Sequence, residues 1–238
     1  MIQDNVRRIQ DQIASICKRL GRNPQDITLV GVTKSASPEN IKEVIAAGVS
    51  HIAENKVQDG LKKYSALQVA GKNVTKHMIG HLQTNKVKDA LKIFDVIQSV
   101  DSIKLVQAIE KHASKIDHSV DILIQLNMSG EKQKFGLNPQ DTFKVMEAIL
   151  KLKYLRVKGL MTVAPLTEDQ SVIKDCFRKL RQWRDKVAAT FPGSSVIKMT
   201  YLSMGMSQDF LLALEEGSNM VRIGSAIFRE SSNSSEAK

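Results

Sequence analysis

The feature that most constrains the fold is a regular alternation of short apolar runs with stretches of helical periodicity. Eight runs have the length and composition of buried strands; they cover residues 27–33, 51–54, 77–80, 95–100, 120–127, 157–162, 198–203 and 220–224. A helical pattern follows each run except the last, for example from Pro38 to the stop at Gly48. This alternation predicts an α/β protein folded as a single (β/α)8 TIM barrel.

A further helix precedes the barrel. Apolar residues from Ile2 to Leu20 recur at steps of three and four, which predicts an amphipathic helix at the N-terminus. We expect one barrel domain over residues 1–230 and a disordered, serine-rich tail over residues 231–238. A doubly wound open sheet is the competing architecture, but it usually has fewer strands, and no Gly-x-Gly-x-x-Gly follows the first strand.

Two helix starts are predicted from their capping residues. The segment Thr167-Glu168-Asp169-Gln170 has the pattern of a capping box for a long helix that ends before Phe191. Ser207 is predicted to cap a helix that ends at Gly217.

Composition and charge limit the classes of function. The 238 residues are 42% hydrophobic and 25% charged, and no apolar stretch approaches the roughly 20 residues of a membrane helix. With no visible secretory signal and only Cys17 and Cys176, the chain is predicted to be cytoplasmic. The net charge of +10 would suit nucleic acid, but the lysines are spread among acidic residues and no aromatic residue lies in a basic run. We therefore expect neither a nucleic-acid nor a membrane partner.

A lysine at the end of the first predicted strand is the strongest indication of function. Lys34 closes the run that starts at Ile27, and a helix start follows directly, so its amine is expected at the rim of the barrel. Active sites of such barrels lie at the carboxyl ends of the strands, and phosphate groups often bind after strands seven and eight. Here those strands end at Ser203 and at Arg222-Ile223-Gly224-Ser225, followed by turns whose backbone amides suit a phosphate.

Closure of the barrel would bring the first and eighth strands together, and Lys34 with them. An amine next to a phosphate site indicates a Schiff base with a phosphorylated aldehyde, which predicts pyridoxal 5'-phosphate (PLP) as the cofactor. Desolvation and nearby cations favour the free amine of a lysine, which is the form that attacks an aldehyde. No metal site is expected, because His77 and His81 lie in a strand-to-loop segment without a cluster of cysteines or carboxylates.

Several ordered motifs, which together extend over nearly the whole chain, carry a family resemblance. They are Val32-Thr33-Lys34, residues 54–58, residues 77–86, Lys134-Phe135-Gly136, residues 202–209 and residues 221–228. In these motifs the chain resembles the YggS/PROSC family of pyridoxal phosphate homeostasis proteins. Their fold is similar to the N-terminal barrel of bacterial alanine racemase.

The resemblance implies a role for six residues. Lys34 would hold the cofactor as an internal aldimine, Asn55 would line the site near the ring, and Arg222 would face the pyridine nitrogen. The phosphate would be held by Ser203, Gly224 and Ser225. The family usually has threonine at the last of these positions, and the serine found here keeps the hydroxyl.

Arg222 also limits the chemistry. Arginine can only donate hydrogen bonds, so a pyridine nitrogen in contact with it stays unprotonated and the ring is a poorer electron sink. Racemisation would still need acid–base groups on both faces of the substrate carbon. Tyr64, Tyr154 and Tyr201 lie in no motif that would supply the second group. We therefore predict a PLP-binding protein of intracellular PLP homeostasis, without catalytic residues, that passes the cofactor to apo forms of PLP-dependent enzymes.

Two alternatives stay open from the sequence. A weak PLP-dependent amino-acid racemase would use Lys34 and an unidentified second group. An enzyme similar to class I aldolases would use Lys34 to form a Schiff base with a sugar phosphate, although such a substrate offers no ring nitrogen to Arg222. The protein is expected to be a monomer.

Overall fold

A computed structural model describes residues 1–66, 74–131 and 133–229. Within these residues, eight parallel strands pair in chain order, and the last pairs with the first to close a barrel. The strands are β1 (Thr28–Val32), β2 (His51–Glu54), β3 (Thr75–Met78), β4 (Val96–Val100), β5 (Val120–Gln125), β6 (Leu155–Met161), β7 (Ile197–Ser203) and β8 (Met220–Ile223). The predicted TIM barrel is confirmed. The predicted tail over residues 231–238 lies outside the described residues.

Helices cover the outer face of the strands. They are α1 (Ile2–Leu20), α2 (Pro38–Ala46), α3 (Val57–Ala66), α4 (Val87–Ala90), α5 (Ile103–Lys115), α6 (Thr142–Ile149), α7 (Gln170–Thr190), α8 (Phe210–Glu215) and α9 (Ser225–Phe228). Their apolar faces pack on the sheet in a large cluster that includes Ile41, Leu105 and Phe177. In the part of the chain that the structure describes, no helix combines the length and the hydropathy needed to cross a membrane.

The predicted N-terminal helix is confirmed, and it packs where the last strand meets the first. The apolar stripe of α1 forms one buried cluster with Leu214, Val221 and Ile223. Asn5 of α1 donates hydrogen bonds from Nδ2 to the carbonyl oxygens of Ile227 and Arg229, at 2.9 and 3.1 Å. These bonds tie α1 to the end of α9, and so hold in place the segment that follows β8.

The barrel interior combines apolar and polar side chains. The apolar cluster consists of Val30, Val32, Ala53, Leu123, Met161 and Met220. His77, Gln98, Ser203 and Arg222 are also at most 3% exposed. Leaving such a buried polar group without a partner costs about 1–3 kcal/mol, so their hydrogen bonds decide whether the interior is stable.

β3 lies two residues earlier than predicted, at Thr75–Met78 instead of 77–80. Its pairing with β2 ends at Met78. Gly80 lies beyond the strand against the backbone of Asn55, where a Cβ would come within 2.1 Å of the Asn55 carbonyl oxygen. The predicted run thus included two residues of the loop that follows the strand.

Two helices begin later than predicted. At the start of α7 the carboxylate of Asp169, and not Thr167, accepts a hydrogen bond from the amide of Ser171 at 2.8 Å. Residues 206–209 form a turn in which the Asp209 carboxylate accepts from the amide of Met206 at 2.6 Å, so α8 starts only at Phe210. Ser207 is therefore not a helix cap, and its hydroxyl makes other contacts.

Candidate functional site

A cavity of about 990 Å³ opens at the carboxyl ends of the strands. Five of the six predicted site residues line it, namely Lys34, Asn55, Arg222, Gly224 and Ser225. They come from segments that follow or end β1, β2 and β8, and the pairing of β1 with β8 places these segments side by side. Barrel closure therefore brings the two ends of the chain to one site, as the sequence predicted.

Lys34 lies in the turn after β1, and its side chain is exposed at the cavity. The ammonium group of Lys63 in α3 supports this turn from the other side. Its Nζ donates to the carbonyl oxygens of Thr33 at 2.7 Å and Lys34 at 3.1 Å, and to Oε1 of Glu54 at 2.9 Å. Lys63 thus fixes the backbone from which Lys34 projects, a role that its sequence position in a helical pattern did not reveal.

Glu54, the acidic partner of Lys63, is completely buried. Its Oε1 lies 2.9 Å from Oγ1 of Thr33, which is in turn 2.9 Å from the hydroxyl of Tyr64. Its Oε2 has no hydrogen-bond partner in the described part of the chain. Burial raises the pKa of the Tyr64 phenol, so this group stays protonated at neutral pH. The negative charge of Glu54 is therefore compensated mainly by Lys63.

Arg222 carries a buried positive charge to the floor of the cavity. Its Nη1 donates to Oγ of Ser203 at 2.6 Å, and its Nη2 donates to the carbonyl oxygen of Thr162 at 2.8 Å. Burial lowers the pKa of Arg222 to about 10, against the opposing influence of Asp209, so the guanidinium remains charged at neutral pH. Its other N–H donors have no acceptor among the described residues, and Arg222 is one of the residues that line the cavity.

Ser203 lies below the cavity and not in its wall. The side chain is completely buried, and its hydroxyl accepts from Arg222 and donates to Oε1 of Gln98 at 2.7 Å. The predicted contact between Ser203 and a phosphate does not fit this placement, because both hydrogen-bonding partners of the hydroxyl are already in the protein. Ser203 supports Arg222 instead.

Backbone amides gather at the side of the cavity that follows β7 and β8. The hydroxyl oxygen of Ser207 accepts hydrogen bonds from the amides of Gly224 and Ala226, both at 3.3 Å. The amides of Ser207, Gln208 and Ser225 have no acceptor among residues 1–66, 74–131 and 133–229. Two amides of this group already bind one oxygen atom, that of the Ser207 hydroxyl, and three further amides are free within the described ranges. Such a group of amide donors suits a phosphate. Sequence reasoning missed Ser207 because its position ahead of a helical pattern indicated a cap.

The other candidates from the sequence lie apart from this arrangement. His77 is in the barrel interior, whereas His81 is at the surface with Nδ1 3.1 Å from Oδ2 of Asp101. No three histidine, cysteine or acidic side chains group as metal ligands in the described ranges. Tyr64, Tyr154 and Tyr201 all lie outside the cavity lining.

Comparison with known proteins assigns the family. Residues 5–232 match the family model described as alanine racemase, N-terminal domain. A relative from Aquifex aeolicus named pyridoxal phosphate homeostasis protein is 38% identical, over 95% of this chain and 97% of its own. The chain belongs to the family of pyridoxal phosphate homeostasis proteins. A family member of the same name from Escherichia coli K12 is 34% identical, over 95% of both chains. The resemblance found in the sequence motifs is therefore confirmed.

Solved structures agree with the family assignment. PipY of Synechococcus elongatus, in a structure with PLP bound, has a TM-score of 0.80 and 30% identity, over 92% of this chain and 99% of PipY. Alanine racemase of Clostridium difficile shares the fold with a TM-score of 0.73 at 18% identity, over 94% of this chain and 56% of the racemase.

The ion pair beneath Lys34 generates a first prediction. Lys63→Met would leave the buried carboxylate of Glu54 without its cation, and we expect the free energy of unfolding to fall by about 3–5 kcal/mol in urea titrations. Lys62→Met, at the exposed neighbouring lysine, is the control and should change stability little. The double variant Lys63→Met/Glu54→Gln should regain part of the loss. Equal losses in the Lys62 and Lys63 variants would contradict this role.

The buried imidazole of His77 predicts a dependence of stability on pH. Burial lowers its pKa from 6.5 to about 3, and the neighbouring His51 lowers it further in the same direction. The unfolded chain takes up a proton near pH 6.5 and the folded protein does not, so stability is lost as the pH falls below 6.5. From His77 we expect a loss of about 2 kcal/mol between about pH 7 and pH 5, measured by urea unfolding at each pH.

The matched variants for this pH dependence are His77→Gln and His118→Gln. The first removes the buried imidazole and should flatten the profile, whereas the second removes an exposed one and should not. An unchanged pH profile in His77→Gln would show that other groups cause the loss.

Proposed function

We propose that this protein binds PLP in the cavity at the carboxyl ends of the strands and serves the intracellular homeostasis of this cofactor. One observation carries the proposal: an exposed lysine amine, a buried guanidinium with free donors and a group of backbone amides surround a single cavity of about 990 Å³. These are the partners that the aldehyde, the pyridine nitrogen and the phosphate of PLP require. The family membership and the PLP-bound structure of PipY support the same ligand.

The donor set of the cavity fits the cofactor part by part. Lys34 would hold the aldehyde carbon through its amine, and Asn55 would line the ring. Arg222 would donate to the pyridine nitrogen from the floor. The phosphate would be held by the free amides of Ser207 and Ser225 and by the hydroxyl of Ser225, and Gly224, which has no side chain, would let it approach the backbone. When bound, PLP supplies an aldehyde that condenses with amines and a ring that withdraws electrons, and the residues of this chain decide how far that chemistry proceeds.

We infer that binding occurs without catalytic turnover. Arg222 stays charged and can only donate, so the ring nitrogen in contact with it is kept unprotonated and withdraws electrons less strongly. The weak racemase alternative would need a second acid–base group, and none of the three tyrosines lines the cavity. The relatives' name, homeostasis protein, also favours a binding role over an enzymatic one.

The exposure of Lys34 supports a role in delivering the cofactor. An exposed attachment point can be reached by water and by other amines, so a bound aldehyde can leave again. We propose that a cytoplasmic monomer passes PLP to apo forms of PLP-dependent enzymes. The two cysteines are both buried and unpaired, which suits a reducing compartment.

The attachment site is tested by reduction and peptide mapping. Purified protein is incubated with PLP, its absorption spectrum is recorded, and the sample is reduced with borohydride and digested. We expect a phosphopyridoxyl group on Lys34 that is absent from Lys34→Ala. Lys134→Ala is the matched control, because Lys134 also lines the cavity, and it should leave the modification of Lys34 in place. Protein that takes up no PLP would overturn the proposed function.

The absence of turnover is tested by deuterium exchange. Protein loaded with PLP is incubated in D₂O with a panel of L-amino acids, and we expect α-deuterium incorporation and loss of optical activity no faster than with free PLP. The reason is the donor-only contact of Arg222. Exchange that depends on the protein and disappears in Lys34→Ala would favour the racemase.

A further inference from the structure

A line of hydrogen-bonded side chains runs through the barrel interior from the cavity floor towards the opposite end. Nη1 of Arg222 contacts Oγ of Ser203 at 2.6 Å, and this oxygen lies 2.7 Å from Oε1 of Gln98. Nε2 of Gln98 lies 2.9 Å from Nδ1 of His77, whose Nε2 lies 2.9 Å from Nδ1 of His51. Five side chains from β2, β3, β4, β7 and β8 thus form one continuous chain of contacts.

The direction of hydrogen bonding is fixed at the Arg222 end. A guanidinium has no acceptor, so Ser203 must accept from Arg222. The hydroxyl proton of Ser203 then goes to Oε1 of Gln98, which is its other partner in the described residues. Because Ser203 is completely buried, the reverse orientation of the amide would leave that proton without an acceptor.

A second contact fixes the orientation of the Gln98 amide independently. Nε2 of Gln98 lies 3.3 Å from Sδ of Met220, and a thioether sulfur can only accept. The NH₂ group therefore donates one proton towards this sulfur and the other to Nδ1 of His77. Turning the amide over would place the lone pairs of Oε1 against the lone pairs of the sulfur.

The polarity of the line sets the tautomers of both histidines. Nδ1 of His77 accepts, so its proton is on Nε2 and is donated to Nδ1 of His51. His51 must then carry its own proton on Nε2. Burial lowers the pKa of both imidazoles, which agrees with two neutral rings. The line ends at His51 beside a second cavity, of about 490 Å³, next to the start of β2.

We propose that Gln98 and His77 are positioning residues that hold Arg222 towards the cofactor. A serine hydroxyl rotates, and Oε1 of Gln98 fixes its proton so that an oxygen lone pair is aimed at Arg222. His77 in turn keeps the Gln98 amide in the required orientation, because its Nδ1 needs a donor. The inference rests on the proposed function, in which Arg222 donates to the ring nitrogen of PLP.

The first test uses the protein without cofactor, so its outcome is independent of PLP binding. Long-range ¹H–¹⁵N correlation spectra of the labelled protein report which nitrogen of each imidazole carries the proton, and His77→Gln assigns the signals. We expect His51 and His77 to carry the proton on Nε2. A proton on Nδ1 of His77 would show that Gln98 accepts there, and would overturn the proposal.

The second test compares variants at Gln98. Gln98→Leu removes the acceptor of Ser203, and we expect the Kd for PLP to rise about threefold to tenfold and the absorption maximum of the bound cofactor to shift. Gln98→Glu keeps an oxygen acceptor for Ser203 in either protonation state, so it should bind PLP more tightly than Gln98→Leu.

Ser99→Ala is the matched control for the Gln98 series. Ser99 is the next residue of β4, is completely buried, and its hydroxyl has no partner in the described chain, so its removal should change neither Kd nor spectrum. A Gln98→Leu protein that binds PLP with wild-type affinity and spectrum would contradict the positioning role. If Gln98→Leu does not fold, the tautomers of the wild type decide. A wild type that binds no PLP would refute the proposed function, while the tautomers would still report on the line.

Discussion

The parallel pairing of β1 with β8 is the interaction on which the site depends. It sets Val30 opposite Arg222 and closes the barrel. Without it, Lys34 and the amides around Gly224 would belong to opposite edges of an open sheet. The α1 helix packs over the junction of β1 and β8, and its Asn5 donates hydrogen bonds to the carbonyl oxygens of Ile227 and Arg229 at the end of α9. Local packing where β8 meets β1 thus determines whether the Lys34 amine and the amides proposed to bind a phosphate face the same cavity.

Burying a guanidinium in the barrel is costly, and the fold compensates with neutral partners. Arg222 contacts a hydroxyl and a carbonyl oxygen, and the nearby Asp209 carboxylate is engaged with the amide of Met206. A direct carboxylate partner would occupy the donors and cancel the charge. Neutral acceptors leave the charge in place and leave the other N–H donors unpaired among the described residues, as the proposed contact with a ring nitrogen requires.

The sequence was sufficient for the parts of the molecule that depend on local pattern. Apolar runs and helix periodicity predicted the barrel, and strand ends placed Lys34, Asn55, Arg222 and Gly224 at its mouth. The contacts that hold the site residues in place depend on which side chains meet in space. No motif in the sequence indicated that Lys63, Gln98 and the hydroxyl of Ser207 make such contacts. The placement of Ser203 shows the same limit, because a position at a strand end does not tell whether a hydroxyl faces a cavity or an arginine beside it.

The cavity is lined by residues that lie far apart in the sequence, so its parts are synthesised at different times. Lys34 leaves the ribosome well before the guanidinium of Arg222 and the amide of Ser225 are made. A nascent chain therefore carries the Lys34 amine without the proposed phosphate site, which would retain an aldehyde ester. Firm capture of the ligand is possible only after β8 has paired with β1, so occupancy of the cavity reports that the barrel has closed.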